Sequence, residues 1–404
     1  MLQLTDAQWL VSDQSAQLLQ DTQARFGAGN EILQVVKSLR KNLSPERASL
    51  IAELAQLRIR GRRKFDSADQ MFFTREALEM ATDQKIAVYK AKRFQNFENV
   101  VDCCCSIGGD LCFLASRKTG CKTLGIDLDP AAVLLANKNL QVHNHSSSAV
   151  VSNFFDLQSS DFDAIHVDPD RRQHGRSTFG DKFEPPLDAV FEKLSGFGSA
   201  AIKVAAATAH KEFYPNDIER QWIGHSRECK QQIIWTGDLA TRKNCHVASV
   251  IVNDKVTEFA APLDKVDHCR VGPANQIGEF VFEPHNTVLA AGLIDALADE
   301  FDLKRIDTEI AYLTGDQSIN NDLLQQFRVL ECVSGDSKKI SAAIDRHELG
   351  KLEIKNRGVE EDFVNQIRQT KCGTGDRAGT IILTRFQGNH CAILGDRTKM
   401  APSK

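Results

Sequence analysis

The sequence predicts an α/β fold on two observations. A small-residue turn, Val101-Asp102-Cys103-Cys104-Cys105-Ser106-Ile107-Gly108-Gly109-Asp110, joins an apolar run to a helix-forming one, and a later apolar run closes at Asp168-Pro169. Val100 and Val101 fit a buried strand, the small residues after them a tight turn, and Leu111 to Ala115 the start of a helix. The next strand, Thr123 to Ile126, ends in Asp127. That is about 20 residues downstream, where Rossmann-like folds place the carboxylate that holds a ribose hydroxyl pair.

Charge discriminates between cofactors. A dinucleotide presents a pyrophosphate to the helix N-terminus, yet Asp102 and Asp110 flank this turn. Carboxylates there disfavour a pyrophosphate and suit S-adenosylmethionine, whose sulfonium and ammonium groups are cationic and which carries no phosphate. The expected cofactor is S-adenosylmethionine rather than NAD. For Asp110 a second role stays open, that of a first-turn acid complementing the helix dipole.

Ala149 to Val151 reads as a third strand followed by Asp156, and Ala164 to Val167 as a fourth, ending in Asp168-Pro169-Asp170-Arg171-Arg172. In open parallel sheets ligands bind outside the carboxyl ends of the strands, so residues after the fourth strand are expected to face the reacting group. Pro169 fixes its own torsion and restricts Asp168, which holds that carboxylate in place.

The order Asp102, Gly108-Gly109-Asp110, Asp127, Asp156, Asp168-Pro169 resembles that of class I S-adenosylmethionine-dependent methyltransferases. The flanking stretches Arg58-Ile59-Arg60-Gly61-Arg62-Arg63-Lys64-Phe65, Met71 to Glu79, Lys90 to Phe94, Glu353-Ile354-Lys355-Asn356-Arg357-Gly358 and Ile381 to Arg385 resemble bacterial methyltransferases with a C-terminal THUMP-like domain. The likeness covers nearly the whole chain. It implies a Rossmann-like methyltransferase core at 97–253, an all-α N-terminal domain at 1–96, a ferredoxin-like module at 254–322 and a THUMP-like domain at 323–397. It also implies that Asp102, Cys104, Ser106, Gly108, Gly109, Asp127 and Asp156 bind the cofactor, Asp156 through the adenine amino group. The acceptor implied is RNA, tRNA or rRNA, by analogy with RNA-modifying enzymes that carry THUMP domains.

Two departures matter. Cys104 and Ser106 stand where glycines are usual, so a positive backbone torsion at either would strain the loop by roughly 1 to 3 kcal/mol. Asp-Pro-Asp-Arg replaces the Asp-Pro-Pro-aromatic turn of many amino-group methyltransferases. Arg171 or Arg172 could stack on a base in place of the ring, or pair locally with Asp168 or Asp170. Asp168, Pro169 and Arg171 are the expected catalytic set, with Arg172 on the substrate. Carbon-5 pyrimidine chemistry needs a cysteine nucleophile, and Ile202 to Ala207, where such a thiol is expected, has none. A base nitrogen is the expected target.

The chain has 404 residues, enough for two or three domains, with 42% hydrophobic and 26% charged residues. No apolar run approaches the roughly 18 residues that span a bilayer, and the first residues lack a basic and apolar leader. A cytoplasmic protein with reduced thiols is expected, its eleven cysteines forming no regular framework. Successive strand residues face opposite ways, so Cys103-Cys104-Cys105 is not read as a metal site. His143-Asn144-His145 lacks a third ligand, so no metal is expected.

Residues 254–322 hold five basic and fourteen acidic groups, and 323–404 hold fourteen and ten. A polyanion is therefore expected at the N-terminal and C-terminal parts, with Arg58, Arg60, Arg62, Arg63 and Lys64 beside Phe65 as the sharpest cluster. An amphipathic helix end with solvated arginines is the alternative. Two functions stand at this point: an RNA base methyltransferase, and a non-catalytic RNA-binding protein on the same scaffold.

Overall fold

The computed structural model describes residues 2–118, 120–171, 183–208, 217–369 and 375–397. The chain divides into two compact units, Met1–Glu219 with Gln232–Lys243, and Arg220–Gln231 with Asn244–Lys404.

The first unit begins with helices α1 (Leu4–Leu10), α2 (Asp13–Gly27), α3 (Ile32–Leu39), α4 (Pro45–Gly61), α5 (Arg75–Met80) and α6 (Gln84–Ala91). α4 starts as its sequence predicts. The Ser44 hydroxyl accepts from the Arg47 N–H, and Pro45 sits at the first helical position, where a missing N–H leaves no bond unmade. Ile51, Leu54 and Leu57, at helical spacing, are buried. Thr74 and Asp83 cap α5 and α6 in the same way.

The sheet follows: β1 (Asn99–Cys103), β2 (Lys122–Asp127), β3 (Ser148–Val151), β4 (Ala164–Val167), a two-residue ribbon of β5 (Asp170–Arg171) and β6 (Phe183–Glu184), and β7 (Ala200–Val204), with α7 (Leu111–Ala115), α8 (Pro130–Val142) and α9 (Leu187–Leu194) between them. The order β7-β4-β1-β2-β3 is parallel throughout. Two strands come next, β8 (Glu219–His225) and β9 (Glu228–Trp235). Gln232–Trp235 of β9 run antiparallel to β7. β1 and β4 are buried almost end to end because both faces of a parallel sheet are covered. Val101, Ile165, Val167, Ile202 and Ile234 pack with Val190 and Leu194 of α9, each such side chain contributing roughly 1.5 to 3 kcal/mol by leaving water. Strand order reverses direction at β1 and β4, so the carboxyl ends of these strands open on the switch point.

The N-terminal helices belong to the same unit as the sheet. Asn139 of α8, fully buried, accepts from the Phe72 N–H at 2.7 Å and donates to Phe72 O at 3.0 Å and Ile107 O at 2.8 Å. One amide thus ties the segment between α4 and α5 to the turn after β1.

In the second unit, β10 (Cys245–Val252) and β11 (Lys255–Pro262) form an antiparallel pair, followed by α10 (Leu263–His268). The rest comprises β12 (Phe280–Pro284), α11 (Asn286–Ala290), α12 (Ile294–Glu300), β13 (Lys304–Asp307), β14 (Ile310–Gly315), β15 (Leu324–Ser334), α13 (Ser337–Arg346), β16 (Leu349–Asn356), α14 (Glu361–Gln369), β17 (Arg377–Phe386) and β18 (Asn389–Arg397). All seven of these strands share one sheet, ordered β13-β14-β12-β15-β18-β17-β16. Apolar periodicity over 287–300 suggests one helix, but the chain forms two, α11 and α12. Gly292 takes φ +68°, and the Leu293 N–H bonds back to Val288 O, the glycine-centred stop that ends a helix. No described helix is long and apolar enough to cross a membrane.

Candidate active site

The carboxyl ends of β1, β2, β3 and β4 line one cavity of about 1160 Å³, whose opposite wall comes from α1, α4 and α5. Among the described residues, ten carboxylate side chains line it against one arginine, Arg75. Low-dielectric walls of one sign concentrate their field, so the cavity favours a cationic or neutral occupant and disfavours a phosphate.

The turn after β1 carries the strain its sequence suggests. Cys104 and Ser106 take φ +57° and +48°, beside Gly108 at +81°, so both replacements sit in the left-handed region that glycine enters freely. What holds the turn is Asp127. Its Oδ2 accepts from the Ser106 N–H at 2.8 Å, while Oδ1 accepts from the Asp129 N–H at 2.9 Å. Burial raises the Asp127 carboxyl above its ordinary value despite these amides. The Cys104 thiol lines the cavity, and burial, then Asp127 and Asp168, push it far up, which works against thiolate formation there. Among the described residues no group of His, Cys, Asp or Glu is arranged to hold a metal.

Beneath the cavity runs a buried polar chain. Asp102 Oδ1 lies 2.6 Å from His166 Nδ1, His166 Nε2 3.3 Å from Lys90 Nζ, and Lys90 Nζ 2.7 Å from Asp110 Oδ1. Thr82 donates to Asp110 Oδ2 at 2.7 Å. The other Asp102 oxygen, Oδ2, is buried without a hydrogen-bond partner, although Asp102 lines the cavity. Burial raises the Asp102 carboxyl, with His166 opposing. Burial also works to raise Asp110, but Lys90, His166 and Lys203 outweigh it and hold that carboxyl well below its ordinary range. Asp110 is therefore a buried ion-pair partner and more than a first-turn acid.

At the reacting end, the Asp168 N–H bonds to Cys103 O at 3.1 Å, and Asp168 Oδ2 lies 2.6 Å from Lys203 Nζ of β7. Pro169 is buried behind it and does not line the cavity. Asp170, Glu184, Pro185 and Pro186 form the rim. Arg171 contributes its backbone to the β5–β6 ribbon. Arg172 lies outside the described residues.

The remaining expected residues are placed as follows. Gly109 lines the cavity, with Ala81 packed where a Cβ would go, whereas Gly108 packs on Ala136 of α8 away from the lining. Asp156 is exposed and absent from the wall; Ser152, Asn153 and Phe155 stand there instead. The basic cluster is corrected at Arg58, Lys64 and Phe65. Arg58 is buried, donating to Met71 O, Gln70 O and Gln23 Oε1 with its guanidinium over Phe72. Lys64 donates to Leu78 O, Glu79 O and Ala81 O at the end of α5. Phe65 is buried and stacked on Phe73, so no ring stands free for a base. Arg60 and Arg62 are exposed in ion pairs with Glu79 and Asp69, and Arg63 is exposed. Arg58 and Lys64 satisfy orphan carbonyls that a helix end and a turn would otherwise leave.

Sequence reasoning missed Lys90, His166, Lys203, Leu128 and Phe155. The last two are large apolar groups left 65% and 42% exposed at the cavity wall, and an exposed apolar pair in a concave site marks a place for a flat ligand.

Residues 324–397 match the family described as THUMP domain-like. Two Mycobacterium tuberculosis proteins, from strains CDC 1551 and H37Rv, each called an uncharacterized S-adenosylmethionine-dependent methyltransferase, are 27% identical over 352 residues, 84% of this chain and 94% of theirs. The solved structure of a "putative methyltransferase" from Porphyromonas gingivalis W83 superposes with a TM-score of 0.75 at 16% identity, covering 98% of both chains. The chain has a methyltransferase fold with a THUMP-like C-terminal domain. The sequence resemblance and the observed architecture agree on this point. In this fold the acids after β1 and β2 and the Asp168 turn after β4 converge on one cavity, as the topological rule requires.

Proposed function

We propose that the protein is an S-adenosylmethionine-dependent methyltransferase acting on a base nitrogen of a structured RNA. The observation that carries the cofactor half is the acid-lined cavity with the buried, unpartnered Asp102 Oδ2. The residues present fit that cofactor: Asp102 for a cationic ammonium, Asp127 for ribose hydroxyls, and Leu128 and Phe155 for the faces of the adenine. S-adenosylmethionine would supply an electrophilic methyl group on a sulfonium, whose sulfur–methyl bond breaks as the acceptor nitrogen bonds the carbon, a neutral thioether being the leaving group. Asp168, held by Lys203 at 2.6 Å, accepts a hydrogen bond from the acceptor N–H, aligns its lone pair and takes the proton released as the N–C bond forms. Much of the rate gain in such a displacement comes from alignment and exclusion of water.

The THUMP-like match supports an RNA acceptor by analogy. A polyphosphate backbone is repelled by the acidic lining, so on this reading the backbone stays outside and one base is extruded into the cavity, at the cost of a few kcal/mol of stacking. Left-handed Cys104 and Ser106 favour the second reading, a non-catalytic RNA-binding protein on this scaffold. Calorimetric titration with S-adenosylmethionine, its demethylated product and NAD separates the two. Saturable binding of both sulfur compounds but not NAD is expected, followed by transfer of tritiated methyl to RNA from a deletion strain. Absence of both moves the protein to the second reading.

A further inference from the structure

The second unit holds a charge arrangement that the methyl-transfer site does not use. Glu283, at the end of β12 and only 10% exposed at its side chain, is met by three cations: Lys355 at 2.9 Å, Arg227 at 3.1 Å and Arg357 at 3.4 Å. They come from two separate places in the chain: Arg227 from the β8–β9 turn, and Lys355 and Arg357 from the end of β16 and the residue just beyond it. One carboxylate neutralises one cation. Lys355 also lies 3.6 Å from Glu353, which Arg397 meets at 4.0 Å, so four cations share two acids and a positive excess remains.

The cations are held rather than loosely solvated. His285 Nε2 lies 2.8 Å from Ser226 O and its Nδ1 accepts from the Thr287 N–H at 3.1 Å, which pins the turn carrying Arg227, where Ser226 takes φ +60°. The Arg357 guanidinium lies over Tyr312 at 5.5 Å and Lys355 over Phe327 at 5.8 Å. Arg227 and Arg357 remain 39% and 28% exposed. Arg397, 58% exposed and 4.0 Å from Glu353, extends the positive face onto β18. Fixed, part-exposed guanidinium forks match phosphate oxygens in pairs, and cations spread over β16, β18 and the β8–β9 turn suit a chain of phosphates better than a single ion.

We infer that Arg227, Lys355, Arg357 and Arg397 form a docking surface for the phosphodiester backbone of RNA, with Glu283 as the buried pivot that fixes the cations. This rests on the RNA reading above, yet it places the grip on the THUMP-like sheet and the β8–β9 turn, away from the Arg58 segment.

The test is binding of a fluorescein-labelled RNA hairpin to the full chain, followed by fluorescence anisotropy across a salt series, with S-adenosylmethionine calorimetry on the same preparations. The double variant Arg227→Gln/Arg357→Gln is expected to lose tenfold or more in affinity at physiological salt and to flatten the log–log salt slope by about two, near one per lost phosphate contact. Arg60→Gln/Arg62→Gln is expected to stay within twofold. Should the double variant fail to fold, Arg397→Glu, at an exposed strand end, decides: a fivefold loss supports the surface, unchanged binding overturns it. Wild-type protein that binds no RNA, or a double variant with native affinity and slope, also overturns it. RNA binding through this cluster without S-adenosylmethionine binding would sink the methyltransferase reading and leave this surface standing.

Discussion

The chemistry of the site rests on residues whose environments differ more than their identities do. Asp102, Asp110, Asp127 and Asp168 are all aspartates near one cavity, but Asp110 faces Lys90, Asp102 faces His166, Asp127 faces backbone amides and Asp168 faces Lys203. From these differences, Asp127→Ala and Asp168→Ala are both expected to abolish transfer, while only Asp127→Ala removes cofactor affinity. Equal loss of cofactor binding in calorimetry would refute that division. Asp110 gives a stability prediction. Its folded-state pKa is depressed, so its ion pair contributes stability above the unfolded carboxylate pKa near 4, lost as pH falls below that toward the lower folded value. Asp110→Asn leaves Lys90 buried and uncompensated and is expected to cost about 3 to 5 kcal/mol at pH 7. Urea unfolding between pH 6 and pH 3 should show a steeper acid loss in the wild type than in the variant. The carboxylates were legible in sequence because each lies at the end of a strand or in the turn that follows it. Lys90, His166 and Lys203 were not, since they reach the site from α6, β4 and β7, and no local spacing records that meeting. Arg58 misled for the same reason: a guanidinium turned inward onto Met71 O has the same letter as one turned outward.

At the scale of elements, the turn after β1 couples sequence to function most directly. Three of its residues adopt positive φ, two of them not glycine. Left-handed conformations cost L-residues roughly 1 to 2 kcal/mol each, against roughly 0.5 to 1 for the extra backbone entropy of glycine. Cys104→Gly/Ser106→Gly is therefore expected to stabilise the free protein by about 1 kcal/mol and to leave cofactor affinity equal or higher, read by denaturant midpoint and calorimetry. A fall in both would mean that the Cys104 and Ser106 side chains themselves hold the loop. Element positions were the most legible part. Predicted strands at 149–151 and 164–167 lie within one residue of those observed, because short apolar runs between turn signals admit few alternatives. The break at Gly292 is not visible in the pattern of the sequence, because apolar periodicity continues across it while the backbone torsion changes hand.

At the scale of the molecule, a cofactor that binds only the folded state adds stability by mass action. S-adenosylmethionine at 100 times its dissociation constant is expected to add about 2.7 kcal/mol, seen as a rise in the melting transition that NAD at the same concentration does not produce. No shift with either would count against the cavity as a cofactor site. The α/β class and the acids at the ends of β1, β2 and β4 follow from sequence alone, because strand burial and turn composition are local properties, whereas the strand order that puts the switch point at β1 and β4 is tertiary. Tertiary structure decided what depends on contacts between distant residues. It folded the N-terminal helices into one unit with the sheet, so that α1, α4 and α5 wall the cavity. It put residues 280–397 into a single sheet. It also turned Arg58 and Lys64 inward onto the backbone carbonyls of other segments and gathered Arg227, Lys355 and Arg357 around Glu283, because whether a charge meets solvent, a carbonyl or another charge is set by packing and not by its neighbours in the chain.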